Sequence, residues 1–236
     1  NAGWLENRKR LSMVIEIEKR VMKMKKFAFT LAEVLITLGI IGIVAALTMP
    51  ILVEHHQKQV IETKLKSFYS IMNEAIQMSA IEEGGLDEFN MALARSCSDT
   101  TSSSIECNKS IYERYFKNYL KSTSYIDNPA ETDFFAVNLA NGSIAKFSFN
   151  CRDISLYINK NALKNKKIGK NCFHFAFYTT GASGNRNIYF KGKGMEPYVS
   201  AAWDGTPEGL YNSSHNATKI IQLNNWKIPK DYPFWE

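Results

Sequence analysis

The sequence lacks the short motifs that most often mark an enzyme. It contains no G-x-G-x-x-G or Walker loop for nucleotides, no H-E-x-x-H pair for zinc and no G-x-S-x-G nucleophile turn. Cys172 and His174 lie two residues apart and would face the same side of a strand. A disulfide cysteine beside a partly buried histidine is the favoured interpretation of that pair, so we expect a protein that is not an enzyme.

Residues that hold metal ions are also sparse. None of the four cysteines belongs to a C-x-x-C pair, so the usual ligand spacing of zinc is missing. Residues 159–170 are rich in lysine and asparagine but poor in the carboxylates that calcium requires, and Asp204 is isolated. We expect no cofactor, with calcium as the less favoured alternative.

The excess of positive charge is confined to the N-terminus. The chain has 29 basic and 23 acidic residues, and residues 1–28 hold 8 of the former and 3 of the latter. The remaining 21 basic and 20 acidic residues leave a net charge of only +1. This composition gives no support to a basic groove for nucleic acid, which is therefore not an expected partner.

A long apolar run follows this basic segment. This run, residues 27–53, begins directly after Lys25 and Lys26. It contains one ionisable side chain, Glu33. The run has the length of a membrane-spanning helix, about 20 residues, with a basic cytoplasmic flank. It is too long for a secretory signal, and no A-x-A-like cleavage site follows Met49. A carboxylate costs about 2.5–3.5 kcal/mol at the membrane centre, so Glu33 requires a partner.

The start of this run resembles the prepilin signature of type IV pilins and type II secretion pseudopilins, in the segment Ala28-Phe29-Thr30-Leu31-Ala32-Glu33-Val34-Leu35. The resemblance implies that a prepilin peptidase cuts between Ala28 and Phe29 and that Phe29 is then N-methylated. It also implies that Glu33 meets the N-terminal amine of a neighbouring subunit, a pairing of two buried charges that sets the register. Ala28 departs from the family, which prefers glycine there.

Two further positions match the family pattern. Gly42 and Pro50 are the helix-weakening residues of the apolar run. Pilins carry a glycine and a proline at the same places, and the segment between them can lose helicity in a filament. The resemblance therefore assigns both residues to assembly together with Glu33.

The helical pattern continues beyond the membrane segment. Apolar residues recur at alternating spacings of four and three, at Ile61, Leu65, Phe68, Met72 and Ala75. One helix from residue 29 to about residue 80 is therefore predicted.

The sequence and the resemblance together predict four segments. Residues 1–28 form the leader, in which residues 1–23 precede the Met24 where a leader of ordinary length would begin. Residues 29–53 form the transmembrane half of the long helix and residues 54–80 its periplasmic half. Residues 81–236 form an exported globular domain.

The clearest β-signal is Asn141-Gly142 between two apolar runs, residues 134–140 and 143–149, which predicts a tight hairpin. The pattern predicts further strands at 153–158, 172–178 and 187–191, and helices at 111–120 and 208–223. The fold class is therefore α+β. A long helix packed on an antiparallel sheet is the pilin-like architecture that the resemblance implies.

All four cysteines, Cys97, Cys107, Cys151 and Cys172, follow the membrane segment. If this part of the chain is exported, disulfides are expected, and four cysteines allow three pairings. We favour Cys97–Cys107 and Cys151–Cys172, because each would close a local loop or a strand connection.

The resemblance implies a structural subunit of a type II secretion pseudopilus or a type IV pilus-like filament. Its expected partners are prepilin peptidase, other pilin or pseudopilin subunits and the inner-membrane assembly platform. The expected location is the bacterial inner membrane, in a single pass with the N-terminus cytoplasmic. Two alternatives remain: a minor pilin for DNA uptake, and a membrane-anchored periplasmic protein that does not assemble.

Overall fold

The computed structural model describes residues 2–22, 30–82, 84–85, 105–127, 135–148, 151–178, 193–200 and 202–235. The chain divides into two compact units, Asn1–Val53 and Glu54–Glu236. The division falls at the residue where the sequence places the end of the membrane segment.

The first unit contains helix α1 (Ala2–Met22) and the first part of helix α2 (Leu31–Glu82). In α1 the side chains of residues 7–18 are all exposed. Both the leader boundary and the cleavage site between Ala28 and Phe29 fall within residues 23–29, outside the described residues, and stay predictions.

Helix α2 is unbroken over 52 residues, close to the predicted span of 29 to about 80. It ends at a glycine pair, Gly84 and Gly85, with φ of +90° and +125°. These left-handed values suit glycine, and the Gly85 amide donates a hydrogen bond of 2.6 Å to the carbonyl of Ala80. The helix therefore ends close to the predicted residue 80.

Among its described residues, the second unit contains the rest of α2, three further α-helices and six strands. They are α3 (Ile105–Tyr115), β1 (Ser122–Asp127), β2 (Phe135–Leu139), β3 (Ile144–Ser148), β4 (Asp153–Tyr157), α4 (Lys160–Lys164), β5 (Cys172–Tyr178), β6 (Gly194–Pro197) and α5 (Ala217–Leu223).

The six strands form one antiparallel sheet in chain order. The predicted hairpin is confirmed as β2 and β3: Gly142 has φ of +77° and the Ser143 amide donates to Asn141 Oδ1 at 3.0 Å. Strands β4 and β5 lie where the sequence predicts them, whereas β1 and β6 were not predicted. The predicted strand at 187–191 lies outside the described residues.

The main core lies between the second part of α2 and one face of the sheet. The five apolar residues of the predicted helical stripe, from Ile61 to Ala75, are all buried. Phe68 on α2 meets Phe175 on β5 edge-to-face, with ring centroids 5.1 Å apart. The long helix therefore packs on an antiparallel sheet, which is a pilin-like α+β architecture.

Two helix predictions were wrong in their extent. The predicted helix at 111–120 is α3, which begins at Ile105 and ends at Tyr115. The predicted helix at 208–223 is two short 3₁₀ turns followed by α5. Ser213 is extended at φ −149°, and the Asn216 side chain bonds the Ser200 amide at 2.7 Å. The extended Ser213 interrupts the predicted helix, and the Asn216 bond is a tertiary contact with a residue 16 positions earlier.

The predicted disulfide between Cys151 and Cys172 is wrong, because both residues are buried free thiols. Cys151 belongs to the main core, and its Sγ donates to the Asn108 carbonyl at 3.2 Å. Cys172 belongs to a smaller cluster with Tyr157. Its neighbour Phe173 faces the main core, so Cys172 lies on the opposite face of the sheet.

Cys107 takes part in a disulfide bond, as the sequence predicts. Cys97 lies outside the described residues, so the pairing Cys97–Cys107 stays a prediction.

The C-terminal segment after α5 lies along α2. Glu62 on α2 accepts the Ile228 amide at 2.9 Å and the Lys227 ammonium at 2.8 Å. Trp226 stands over Tyr69, with centroids 5.0 Å apart. Glu62 is buried, so these bonds satisfy a carboxylate that would otherwise be costly to bury.

Candidate assembly segment in the long helix

The first part of α2 exposes an apolar surface on all sides. Every side chain of residues 31–53 is exposed except that of Ala45, which is half-buried. Leu31 is 77% exposed and Leu47 is 69% exposed. Among the described residues, α2 is the helix that is both long enough and apolar enough to cross a membrane. At about 25 cal/mol per Å² this surface is costly in water, so it requires lipid or other apolar helices as its surroundings.

Glu33 forms a capping box with Thr30. The carboxylate oxygen Oε2 of Glu33 accepts the Thr30 amide at 2.8 Å and the Thr30 hydroxyl at 2.9 Å. In return, the Thr30 hydroxyl accepts the Glu33 amide at 3.2 Å. The pair satisfies backbone donors that the first helical turn leaves without partners. This local role was not predicted, although Thr followed three residues later by Glu is its sequence signal.

Gly42 lies in unbroken helix, as does Gly39 one turn earlier. A Cβ atom added at either glycine would meet no atom within 4 Å. Nothing in the described chain therefore explains the small side chain, and the open space fits close approach of another helix.

Pro50 stands inside the helix and has no amide hydrogen to donate. The helix continues through it, so the segment from Gly42 to Pro50 is helical in this structure. Its loss of helicity in a filament stays a prediction.

The described part of the chain contains no group of three or more His, Cys, Asp or Glu side chains placed to hold a metal ion. Asp204 instead accepts the amide and hydroxyl of Thr206 at 2.9 and 2.7 Å. The absence of calcium remains an expectation.

One buried polar cluster was not predicted. Nδ1 of His174 lies 3.0 Å from the Ser155 hydroxyl, and the His174 ring stacks on His215 at 5.1 Å. Nε2 of His174 is buried without a hydrogen-bond partner among the described residues. Burial, followed by His215, Lys166 and Lys146, lowers the pKa of His174 to about 3. A histidine with this pKa is a weak base, so the pair resembles a buried structural contact rather than a nucleophile and its base.

Comparison with protein families divides the chain close to Pro50. Residues 51–235 match the model of a family of unknown function, DUF6613. The chain belongs to the DUF6613 family. In this DUF6613 protein, residues 23–49 also match the prokaryotic N-terminal methylation motif. No curated protein matches the chain, and no solved structure matches it.

The methylation motif indicates that this DUF6613 protein is a prepilin-like precursor, as in the type IV pilin and pseudopilin group. The pilin-like family is structural rather than catalytic. The motif implies processing by prepilin peptidase and assembly with other pilins, and the apolar helix is consistent with an inner-membrane location.

Proposed function

We propose that this protein is a subunit of a type II secretion pseudopilus or a type IV pilus-like filament. The observation that carries the proposal is the apolar surface of residues 31–53, exposed on all sides and headed by Glu33 within the methylation motif. A helix of this kind needs an apolar environment both before and after assembly. It lies in lipid before assembly and among equivalent helices afterwards.

In this proposal the chain is stored in the inner membrane with its basic N-terminus in the cytoplasm and residues 54–236 on the exported side. Prepilin peptidase cuts between Ala28 and Phe29, and the new amine of Phe29 is N-methylated. An inner-membrane assembly platform then adds the subunit to the filament.

Glu33 pairs with the amine of Phe29 in a neighbouring subunit. The capping box supports this role, because both hydrogen bonds from Thr30 end on Oε2. Oε1 accepts no hydrogen bond from the described residues and is available for the amine. Since Thr30 follows the cleavage position, the capping box survives processing. The capping box thus holds the carboxylate at the helix start, where a free amine can reach it.

The open space at Gly39 and Gly42 supports close helix packing in the filament core. Pro50 donates no helix hydrogen bond, so in this proposal it is the position at which the helix can bend or unwind on packing.

The experiment is intact mass measurement and N-terminal sequencing of the protein from membranes, with and without prepilin peptidase. A mature chain that begins at N-methylated Phe29 supports the proposal. A chain that keeps its leader in the presence of an active peptidase contradicts it and favours a membrane-anchored protein that does not assemble.

A further inference from the structure

We propose that the lysine-rich connection from β4 to β5, residues 159–171, binds the anionic phospholipid headgroups of the bilayer that holds residues 31–53. This connection contains helix α4 and is called the loop below. The loop contains five lysines and no acidic residue. The proposal rests on the membrane insertion of the proposed function but not on filament assembly.

Four of these lysines are exposed and available to a partner: Lys160, Lys164, Lys166 and Lys167. None of the four forms an ion pair with any other residue that the structure describes. Lysines without an ion-pair partner among the described residues favour the approach of anions, which lowers the repulsion between neighbouring ammonium groups.

The loop backbone is held in a defined shape. The Asn171 side chain accepts the Lys167 amide at 2.7 Å and donates to the Asn165 carbonyl at 2.8 Å. Gly169 has φ of +87°, and a Cβ atom there would lie 2.7 Å from Cβ of Phe234. The lysines are therefore presented by a preorganised loop, which lowers the entropic cost of binding.

The C-terminal segment ties this loop to α2. The Tyr232 hydroxyl donates to the Gly169 carbonyl at 2.6 Å. The Trp235 ring has two ammonium groups close to it: Lys58 of α2 at 4.9 Å and Lys170 of the loop at 5.4 Å from the ring centroid. The loop therefore lies near the part of α2 with which the second unit begins, the turns that follow Glu54.

The turns of α2 that follow Glu54 must lie close to the membrane, because few residues separate them from the apolar run. Lys58 follows Val53, the last residue of the apolar run, by five residues. Five residues span at most about 18 Å even when fully extended. A loop that is linked to this part of α2 through Trp235 is thus within reach of the headgroups in which the apolar run ends.

The chemistry of the surface matches this partner. Lysines near a membrane attract anionic headgroups and extend their ammonium groups to the phosphates. Tryptophan is enriched at the same level, because its ring is apolar and its indole N–H is polar. Trp235 is half-buried next to the loop, where it can reach the interface.

The first test places the full chain in lipid nanodiscs made of phosphatidylcholine alone or of phosphatidylcholine with phosphatidylglycerol. Lysine acetylation by a water-soluble reagent is then followed residue by residue with mass spectrometry. Lys164, Lys166 and Lys167 are expected to react at least about fivefold more slowly in the anionic discs, and high salt should restore their rates. The exposed Lys117 and Lys121 should react alike in both discs.

Equal rates for the loop lysines in the two kinds of disc would overturn the proposal. Protection that follows the number of chains per disc rather than the lipid would also overturn it, in favour of a second copy as the partner. A chain that fails to co-elute with the discs would contradict membrane insertion itself, and so is distinguishable from failure of the loop alone.

The second test uses quenching of Trp235 by lipids with brominated acyl chains, measured as the difference between the wild-type chain and Trp235→Phe. Quenching is expected in anionic discs and should be lost in the variant Lys164→Gln/Lys166→Gln/Lys167→Gln. The control variant removes three exposed lysines elsewhere in the second unit: Lys66→Gln, Lys117→Gln and Lys121→Gln. Equal loss of quenching in both variants would overturn the role of the loop.

Discussion

Glu33 and Thr30 exchange hydrogen bonds in both directions, with Oε2 of Glu33 2.8 Å from the Thr30 amide and 2.9 Å from its hydroxyl. The carboxylate therefore has two separable properties: it caps the helix, and it carries a charge into an apolar segment. Substitutions at the two residues can distinguish them.

Glu33→Gln should reduce filament incorporation about as strongly as Glu33→Ala. Glutamine can complete a capping box, but it has no charge to pair with an amine. The measurement is the amount of subunit in sheared filaments relative to membranes, in cells that carry the assembly machinery.

Thr30→Ala is the matched control, since it removes the hydroxyl half of the capping box at a cost of about 1 kcal/mol but keeps the carboxylate and its bond to the amide of residue 30. It should incorporate nearly as the wild-type chain does. Normal incorporation of Glu33→Gln together with loss in Thr30→Ala would mean that the cap, not the charge, is needed for assembly.

Ala28→Gly should increase the rate of processing by prepilin peptidase, because the family prefers glycine before the cleaved bond. The ratio of precursor to mature chain, measured by immunoblot after a short induction, gives the rate. A bulky substitution, Ala28→Leu, should block processing. Equal processing of all three chains would contradict cleavage at this bond.

Stability of the second unit should fall in mild acid through His174. Its pKa in the folded chain is about 3 and its ordinary value is 6.5, so the unfolded chain binds the proton more tightly. The contribution of the neutral ring is therefore present above pH 6.5 and is lost as the pH falls towards 3. Between pH 7 and pH 5 the expected loss is about 2 kcal/mol.

This loss should be absent in His174→Gln when unfolding of the full chain in detergent micelles is followed by fluorescence at both pH values. His56→Gln, at an exposed position, is the control and should keep the pH dependence. An unchanged pH dependence in His174→Gln would assign the effect to another group.

Phe68→Ala should destabilise the second unit by about 3–5 kcal/mol, because it removes a ring that is 2% exposed and packed against Phe175. Ile71→Ala on the same helix should cost less than about 1 kcal/mol, since Ile71 is 41% exposed. Urea unfolding of both variants gives the comparison. Equal costs would show that α2 does not pack on the sheet through Phe68.

Cys151 and Cys172 should both react with a thiol reagent after unfolding without reductant, and neither should react in the folded chain. Burial raises the pKa of both thiols, that of Cys172 to about 11, so the reactive thiolate is scarce. Mass spectrometry of the labelled peptides reads the result. A Cys151–Cys172 linked peptide would contradict the assignment of two free thiols.

The sequence-based predictions that succeeded depend on local patterns. The apolar run with a single carboxylate, the spacing from Ile61 to Ala75 and the Asn141-Gly142 turn each involve neighbours along the chain. Hydrogen bonding within a helix or a hairpin is set by such neighbours, so α2 and the β2–β3 hairpin were predictable. The helix predicted at 208–223 failed because Asn216 bonds to Ser200, which no local pattern reveals.

What the sequence determined by itself is therefore the assembly segment: its length, its lack of charge and the one carboxylate at its head are properties of consecutive residues. Only the tertiary structure decided that Cys151 and Cys172 lie on opposite faces of the sheet, and that Trp235 lies against both Lys58 and Lys170. These relationships join residues far apart in the chain, and they exist because strand pairing and core packing bring those residues together.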